Sequence, residues 1–370
     1  AHNGWALGYA SAELKNDKDV VLAAVAQDGD ALGSASAELR NDREVVLAAV
    51  AQYGDALRYA SVELQNDKEV VLAAMKQNGY ALRHASAEIK NDKEVVLAAV
   101  AQEGYALEAA SAQLQNDKEV VLAAVAQAGD VLMFASMELK SDRDVVLVAV
   151  AQDGLALWYA SDERQNDKDV VLAAVAQAGD ALEYASEELQ NDKDVVLAAV
   201  SQAGDALEHA SDELKDDKEV VLAAVKQDGL ALWDASPPLK GDKDVILAAV
   251  SQNWRALEIV VPNPPHDLIK DEAIARLAMS KNNGAEIYID PATLESIYSK
   301  AKVAMAVRPS LTGAVGNKGD TLNHALRHHF NKDDEGAGVR KRPMRSATAR
   351  RMSKNRMSKR RMSKKSIKRK

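Results

Sequence analysis

His324 and His328 stand four residues apart, the spacing that sets two imidazoles on one helical face and can chelate a metal. The hydrolytic form of that motif needs a glutamate directly after the first histidine, and Ala325 holds the place. No third ligand is identifiable, cysteine is absent, and Arg327 and His329 make the segment cationic. A cationic helix leading into a basic C-terminus is the plainer reading, so no metal and no cofactor is expected. Residues 313–321 (GAVGNKGDT) look like a phosphate loop only superficially, because the spacing fails the G-x4-G-K-[ST] rule and no buried strand precedes them. Carboxylates are plentiful, but they recur at helix-capping places. No nucleophile–base–orienter set stands out, and the chain is expected not to be an enzyme.

The one segment with an evident physical action is the C-terminus. Residues 340–370 hold 16 Lys and Arg and no acid, leaving 31 basic against 56 acidic residues upstream, a net of −25. Arg-Met-Ser-Lys recurs every five residues, at Arg351, Arg356 and Arg361. Such composition cannot bury a core and is expected to be disordered alone. Arg350, Arg351, Lys354, Arg356, Lys359, Arg360, Arg361 and Lys364 would contact nucleic acid through phosphates, without sequence preference and with strong salt dependence, or direct nuclear import. An anionic membrane fits less well, since Met is the only apolar residue of the repeats. The alternative is a tail that lies along its own acidic array. Phosphorylation of Ser353, Ser358 and Ser363 would cancel much of the charge.

Upstream, a 25-residue unit organises the chain. Its first full copy, NDKDVVLAAVAQDGDALGSASAELR, runs from Asn16 to Arg40. It restarts at Asn41, Asn66, Asn91, Asn116, Ser141, Asn166, Asn191, Asp216 and Gly241. Residues 1–15 match its second half, and the chain opens inside a unit without Met, as expected of a partial chain. Asn16 or Asp17 is the expected N-cap, with Asp19 answering at N3 if Asn16 caps. Val20 to Val25 is apolar all round and predicts a buried inner helix. Gly29 and its counterparts, replaced only by Trp254 in the tenth unit, predict a left-handed residue ending that helix. Ala31, Leu32, Ala35 and Leu39 share one face and predict a second helix over residues 30–39. Within it, Ala35 would allow close helix approach and Ser36 would bond back to a carbonyl. Val-Val-Leu alone could be a strand, and leucine-rich repeats have a similar period. The alanine content and the Asp-Lys-Asp cap chemistry favour helix. The fold class expected is all-α: a right-handed-type α-solenoid of ten helix–turn–helix units, then a small helical region and the disordered basic tail.

The unit N-D-[KR]-[DE]-V-V-L-A-A-V-x-Q-x-G-x-A-L-x-x-A-S-x-E-L-[KQ] resembles a repeat family catalogued only as a domain of unknown function. That family is frequent in protists, algae, their large DNA viruses and some intracellular bacteria. The resemblance covers about residues 1–260. It implies an all-helical tandem array and, for source, a protist or a large DNA virus of protists or algae. It brings no activity or catalytic residue with it.

Comparison of the units with one another separates constant from variable positions. Caps and core barely change. Variation concentrates where Arg58, Arg83, Trp158 and Trp233 stand, and at the next residue, where Tyr59, His84, Tyr159 and Tyr184 stand. A recognition face for an unidentified protein or peptide would vary in this way. Neutral drift at exposed positions, with Tyr59, Tyr159 and Tyr184 packing between units, remains open. Reading nucleic acid one base per unit is rejected, because two acids flank each cap cation and phosphates need a basic groove.

The expected organisation is a partial unit over 1–15, the array over 16–265, a small mostly helical region over 266–338 and the tail over 339–370. Pro237-Pro238 would break the second helix of its unit, and residues 262–265 (PNPP) would form a stiff exit. Beyond them, helices are expected from Asp267 or Lys270-Asp271 through Ala278, stopped by Asn282-Asn283-Gly284, from Asp290-Pro291 through Val303, closed by Arg308-Pro309, and from Thr321 to Phe330. A short strand or extended link is expected at Glu286–Ile289. No apolar run is long enough to span a bilayer. The location expected is intracellular, nuclear or virion-associated; the oligomeric state is not legible. Against a scaffold stand two other functions: a spacer whose tail neutralises its own array, and a small-molecule or phosphate enzyme centred in residues 266–338.

Overall fold

The computed structural model describes residues 4–260 and 270–307. One compact unit ends at Ser299; of the next, beginning at Lys300, only the continuation of a helix to Val307 is described. All regular structure among the described residues is helical. In the second full unit Asp42 is the N-cap, extended at φ −85° and ψ 115°, and its carboxylate accepts from the N–H groups of Glu44 and Val45. The cap is therefore the Asp of each Asn-Asp pair. The acid two residues on falls at N2, so no capping box forms.

The helix Arg43–Gln52 buries Val45, Val46, Ala49 and Val50 completely, while Leu47 and Ala48 are half-buried. It is one-sided rather than buried all round. The helices Lys93–Gln102, Arg143–Gln152, Lys168–Gln177 and Lys218–Gln227 follow the same plan. These helices stack on one another unit by unit, and a second layer of 3-10 helices, such as Gly54–Tyr59, stacks beside them. Each layer buries the apolar side of the other in one continuous core.

The second half of the unit departs from the single helix expected. It is a six-residue 3-10 helix, Gly54–Tyr59, then extended Ala60 and Ser61, then a four-residue α-helix, Val62–Gln65. The break has a cause. The Ser61 N–H donates to Arg40 O of the preceding unit at 2.9 Å, which an uninterrupted helix would not permit. Its hydroxyl accepts from the Leu64 N–H and donates to Asn41 Oδ1 at 2.5 Å. The serine is an N-cap that also ties two units together. Pro237 and Pro238 follow such a serine, Ser236, and occupy N1 and N2 of a short helix, where no backbone donor is missed. They break nothing.

None of the turn glycines has the positive φ expected of them. They are small because units meet there. A Cβ on Gly54 would lie 2.5 Å from Ala74 O of the next helix, and one on Gly104 would lie 2.8 Å from Ala124 O. The glycine N–H is also used: Gly204 donates to Gln227 Oε1 of the following unit at 2.7 Å, and Gln227 Nε2 donates to Gln202 O at 3.0 Å.

The cap cations complete the joints. Lys18 lies 2.8 Å from both Asp42 and Glu44 of the next unit, and the pairing recurs to Lys218 with Asp242 and Asp244. The ammonium groups hold the carboxyls of Asp42, Asp92 and Asp117 below the usual carboxylate range, against a smaller opposing effect of burial. Lys243 continues the ladder to Asp271, at 2.6 Å.

Asp271 caps Glu272–Lys281, which packs on Lys243–Gln252. Ile274, Ala275, Ala278 and Met279 are buried at the same offsets from their cap as Val45, Val46, Ala49 and Val50 from Asp42. A 3-10 helix follows, Asn283–Tyr288, in place of the strand or extended link expected there. Asp290 then caps Pro291–Val307, its carboxylate accepting from the Thr293 N–H at 3.1 Å. The last helix starts where Asp-Pro predicts. The segment Thr321–Phe330 lies outside the described residues.

Candidate functional site

The 3-10 helices present the variable positions. In Gly54–Tyr59 the middle residues Ala56 and Leu57 are fully buried, which leaves Arg58 exposed and Tyr59 half-buried. A 3-10 helix has three residues per turn, so side chains at i and i+3 eclipse and form one face. Successive units therefore offer a column of two-residue faces, such as Leu230 with Trp233 on Gly229–Asp234.

Around units two and three the column is a polar cluster. Asp55 is only 6% exposed. Arg83 Nη2 lies 2.6 Å from its Oδ2, Asn78 Nδ2 donates to its Oδ1 at 3.2 Å, and the Tyr53 hydroxyl donates at 3.4 Å. His84 Nε2 stands 3.8 Å from the same carboxylate. Burial holds the His84 imidazole below its ordinary pKa, although Asp55 pulls the other way. Arg83 Nε donates to His84 Nε2 at 3.1 Å, which suits a neutral ring. Arg58 bonds Asp30 of the preceding unit at 3.2 Å and lies over the Tyr59 ring at 4.5 Å.

Further along, the column turns aromatic and apolar. Tyr105 donates its hydroxyl to Asp130 and meets Phe134 edge-on at 6.2 Å. Burial and that carboxylate push the phenol well above its usual range. Trp158 meets Tyr184 of the next unit edge-on at 4.9 Å. Trp233 is 67% exposed, and Leu230 on the same 3-10 face is 42% exposed.

The eight residues singled out in the sequence thus fall into local sets. Arg58 meets Tyr59, Arg83 meets His84, and Trp158 meets Tyr184. Trp233 stands out into solvent. Tyr59, Tyr159 and Tyr184 are half-buried against the core, the packing that the drift alternative foresees. Sequence reasoning missed Asp55, whose type matches the Asp of other units that are half-buried or exposed, and the signal available was the Arg83 one unit on. It also missed Arg164, which occupies the place of a core leucine. Its guanidinium pairs with the N-cap Asp167 at 2.6 Å and leaves a buried Nε without a partner.

Among the described residues no group of three or more His, Asp or Glu is placed to hold a metal ion. Also among them, no helix is long and apolar enough to cross a membrane. His324, His328, the 313–321 loop and the tail residues Arg350, Arg351, Lys354, Arg356, Lys359, Arg360, Arg361 and Lys364 lie outside the described residues.

A family model described as Domain of unknown function (DUF4116) matches residues 1–40, 22–65, 42–90, 67–115, 116–165, 167–215 and 217–260. No curated protein and no solved structure matches the chain. The matched segments cover well over half of the 370 residues, and the chain belongs to that family.

Proposed function

We propose that this family member is a non-enzymatic scaffold that holds a protein partner on its column of 3-10 helices. One observation carries the reading. Across the units the inter-unit joints and the core hardly vary, while the variable places of the column carry the exposed Arg58, Arg83, Met133 and Trp233 and the half-buried Trp158. A spacer would need the joints but not this variety. An exposed tryptophan and arginines fixed by Asp30 and Asp55 are anchors of the kind that dominate protein interfaces. The rigidity of a stacked core lowers the ordering cost on binding.

The basic residues of 340–370 give the same chain a second attachment, to nucleic acid, which the acidic array would not make. Seating on a nucleic-acid-bearing structure, a nucleus or a virion, follows from that tail.

The test is capture by the immobilised full chain and by a variant carrying Arg58→Glu, Trp158→Ala and Trp233→Ala. Partners enriched by the wild type should be lost by the variant, with far-ultraviolet circular dichroism unchanged. Retention of every enriched partner would refute the assignment of the face.

A further inference from the structure

Units six to nine of the column form an ordered pattern. The eclipsed i, i+3 pairs are Leu155 with Trp158, Asp180 with Glu183, Asp205 with Glu208, and Leu230 with Trp233. Two apolar faces bracket two acidic ones. We propose that this strip takes an extended polypeptide segment with two cationic side chains between two apolar ones. The inference rests on the scaffold reading and adds the partner's chemistry and spacing.

The outer faces supply the apolar anchors, one exposed and one half-buried, where Leu155 also packs on the core. Leu230 and Trp233 are the largest exposed apolar pair on one 3-10 helix among the described residues. Trp158 is half-buried with its ring held edge-on by Tyr184, so it offers a pre-oriented surface. The inner faces set the charge. Each carries two carboxylates, within an upstream chain of net −25. Beside them Asp234 is half-buried next to Glu208, and burial, then that neighbour's charge, raises its carboxyl pKa, although Lys215, Lys240 and His209 act against this. Tryptophan flanking carboxylates suits lysine or arginine through its ring face.

The spacing follows from the stack. Packed helices lie about 8–10 Å apart, so three steps from Trp158 to Trp233 span roughly 24–30 Å. An extended chain rises about 3.3 Å per residue, which makes that span roughly seven to nine residues. The segment expected has apolar residues about nine positions apart and Lys or Arg a third and two thirds of the way between them.

The probe is a labelled decapeptide with leucine first and last, lysine fourth, arginine seventh, and glycine or serine elsewhere. Fluorescence anisotropy follows its binding to the full chain. Trp233→Ala is expected to weaken binding at least tenfold, and so is Glu183→Gln with Glu208→Gln. The control is Glu187→Gln with Asp212→Asn, which removes the same charge from exposed places on the neighbouring short helices of the same units. It should change the affinity less than twofold. Equal losses in the two charge variants would mean attraction by the general field, and would overturn the site. An unchanged affinity in Trp233→Ala would overturn it too, and so would an absence of binding. If the decapeptide fails while the column variant still loses captured partners, this inference falls and the scaffold reading stands.

Discussion

Replacing Gly154 with alanine tests how the units are joined. A Cβ there would lie 2.4 Å from Ala174 O and 3.0 Å from both the nitrogen and Cβ of Ala178. Those are backbone and near-backbone atoms of the next unit, so no side chain can swing aside. Relief requires the units to part by about 1 Å, where the packed interior tolerates little. The shift would also stretch the Gly154 N–H bond to Gln177 Oε1, now 2.7 Å. Overpacking of this kind costs about 1–3 kcal/mol. A strained hydrogen bond adds up to about 1 kcal/mol, and the lower chain entropy of alanine offsets about 0.4–1 kcal/mol. The net expectation is a loss of about 1–3 kcal/mol, read from urea unfolding followed by helical ellipticity. Gly8→Ala, whose nearest neighbour would be Ser34 Oγ at 3.5 Å, is the control and should stay within about 0.5 kcal/mol of wild type. Asparagine separates this account from a left-handed turn. Asn tolerates positive φ better than Ala, so a left-handed site would prefer Asn, whereas a close approach makes Asn the worse of the two. A neutral Gly154→Ala, or an Asn variant more stable than the Ala variant, would refute the reasoning.

Four other outcomes are expected. The N-cap carboxyls of Asp42, Asp92 and Asp117 titrate lower in the folded chain than in the unfolded one, so the stability they contribute is full above the unfolded pKa and disappears as pH falls through the folded one. Melting temperature should accordingly fall as pH drops below about 5; a melting temperature flat down to pH 2 would exclude the ladder as a source of stability. Asp117→Ala should cost about 1–2 kcal/mol through the cap bonds to Glu119 and Val120, and much more than Lys93→Met, which removes only an exposed ion pair; equal losses in urea melts would reverse that ranking. Arg164→Leu should stabilise by about 1 kcal/mol or more, because a buried, incompletely bonded guanidinium gives way to the leucine of the other units; a destabilised variant in the same assay would show that the Asp167 pair matters more. The full chain should bind duplex DNA without sequence preference and with a steep salt dependence, and residues 1–339 should not, as read by gel shift; binding by the truncated chain would move the contact to the array.

Much of the architecture was legible because each unit repeats its own chemistry. The Asp of Asn-Asp and the Val-Val-Leu-Ala-Ala-Val run mark cap and core, and the structure has both there, whereas the Gly at a fixed place opens a 3-10 helix instead of ending the α-helix in a left-handed turn. What escaped lies between units. Ala31, Leu32, Ala35 and Leu39 fit one helical face, yet a 3-10 helix followed by a capped single turn buries the same four. Ser36-Ala37-Glu38 carried the signal of a second cap, but amphipathicity outweighed it. Glycine's part could not be read locally, since the crowding atom, such as Ala74 O for Gly54, sits some twenty residues on. The register of Asp271 was hidden because it falls 29 rather than 25 residues after Asp242. On the column, residue types announced exposure and variety, while the Asp55–Arg83 pair depended on a neighbour one unit away.

Hydrogen exchange of the full chain with a captured partner bound tests the central claim most directly. Protection is expected in peptides covering Gly154–Tyr159, Gly179–Tyr184, Gly204–His209 and Gly229–Asp234, with the cap ladder around Lys118 and Lys168 unchanged. Protection confined to the ladder, or to residues 340–370 alone, would contradict the assignment of the column as the binding face.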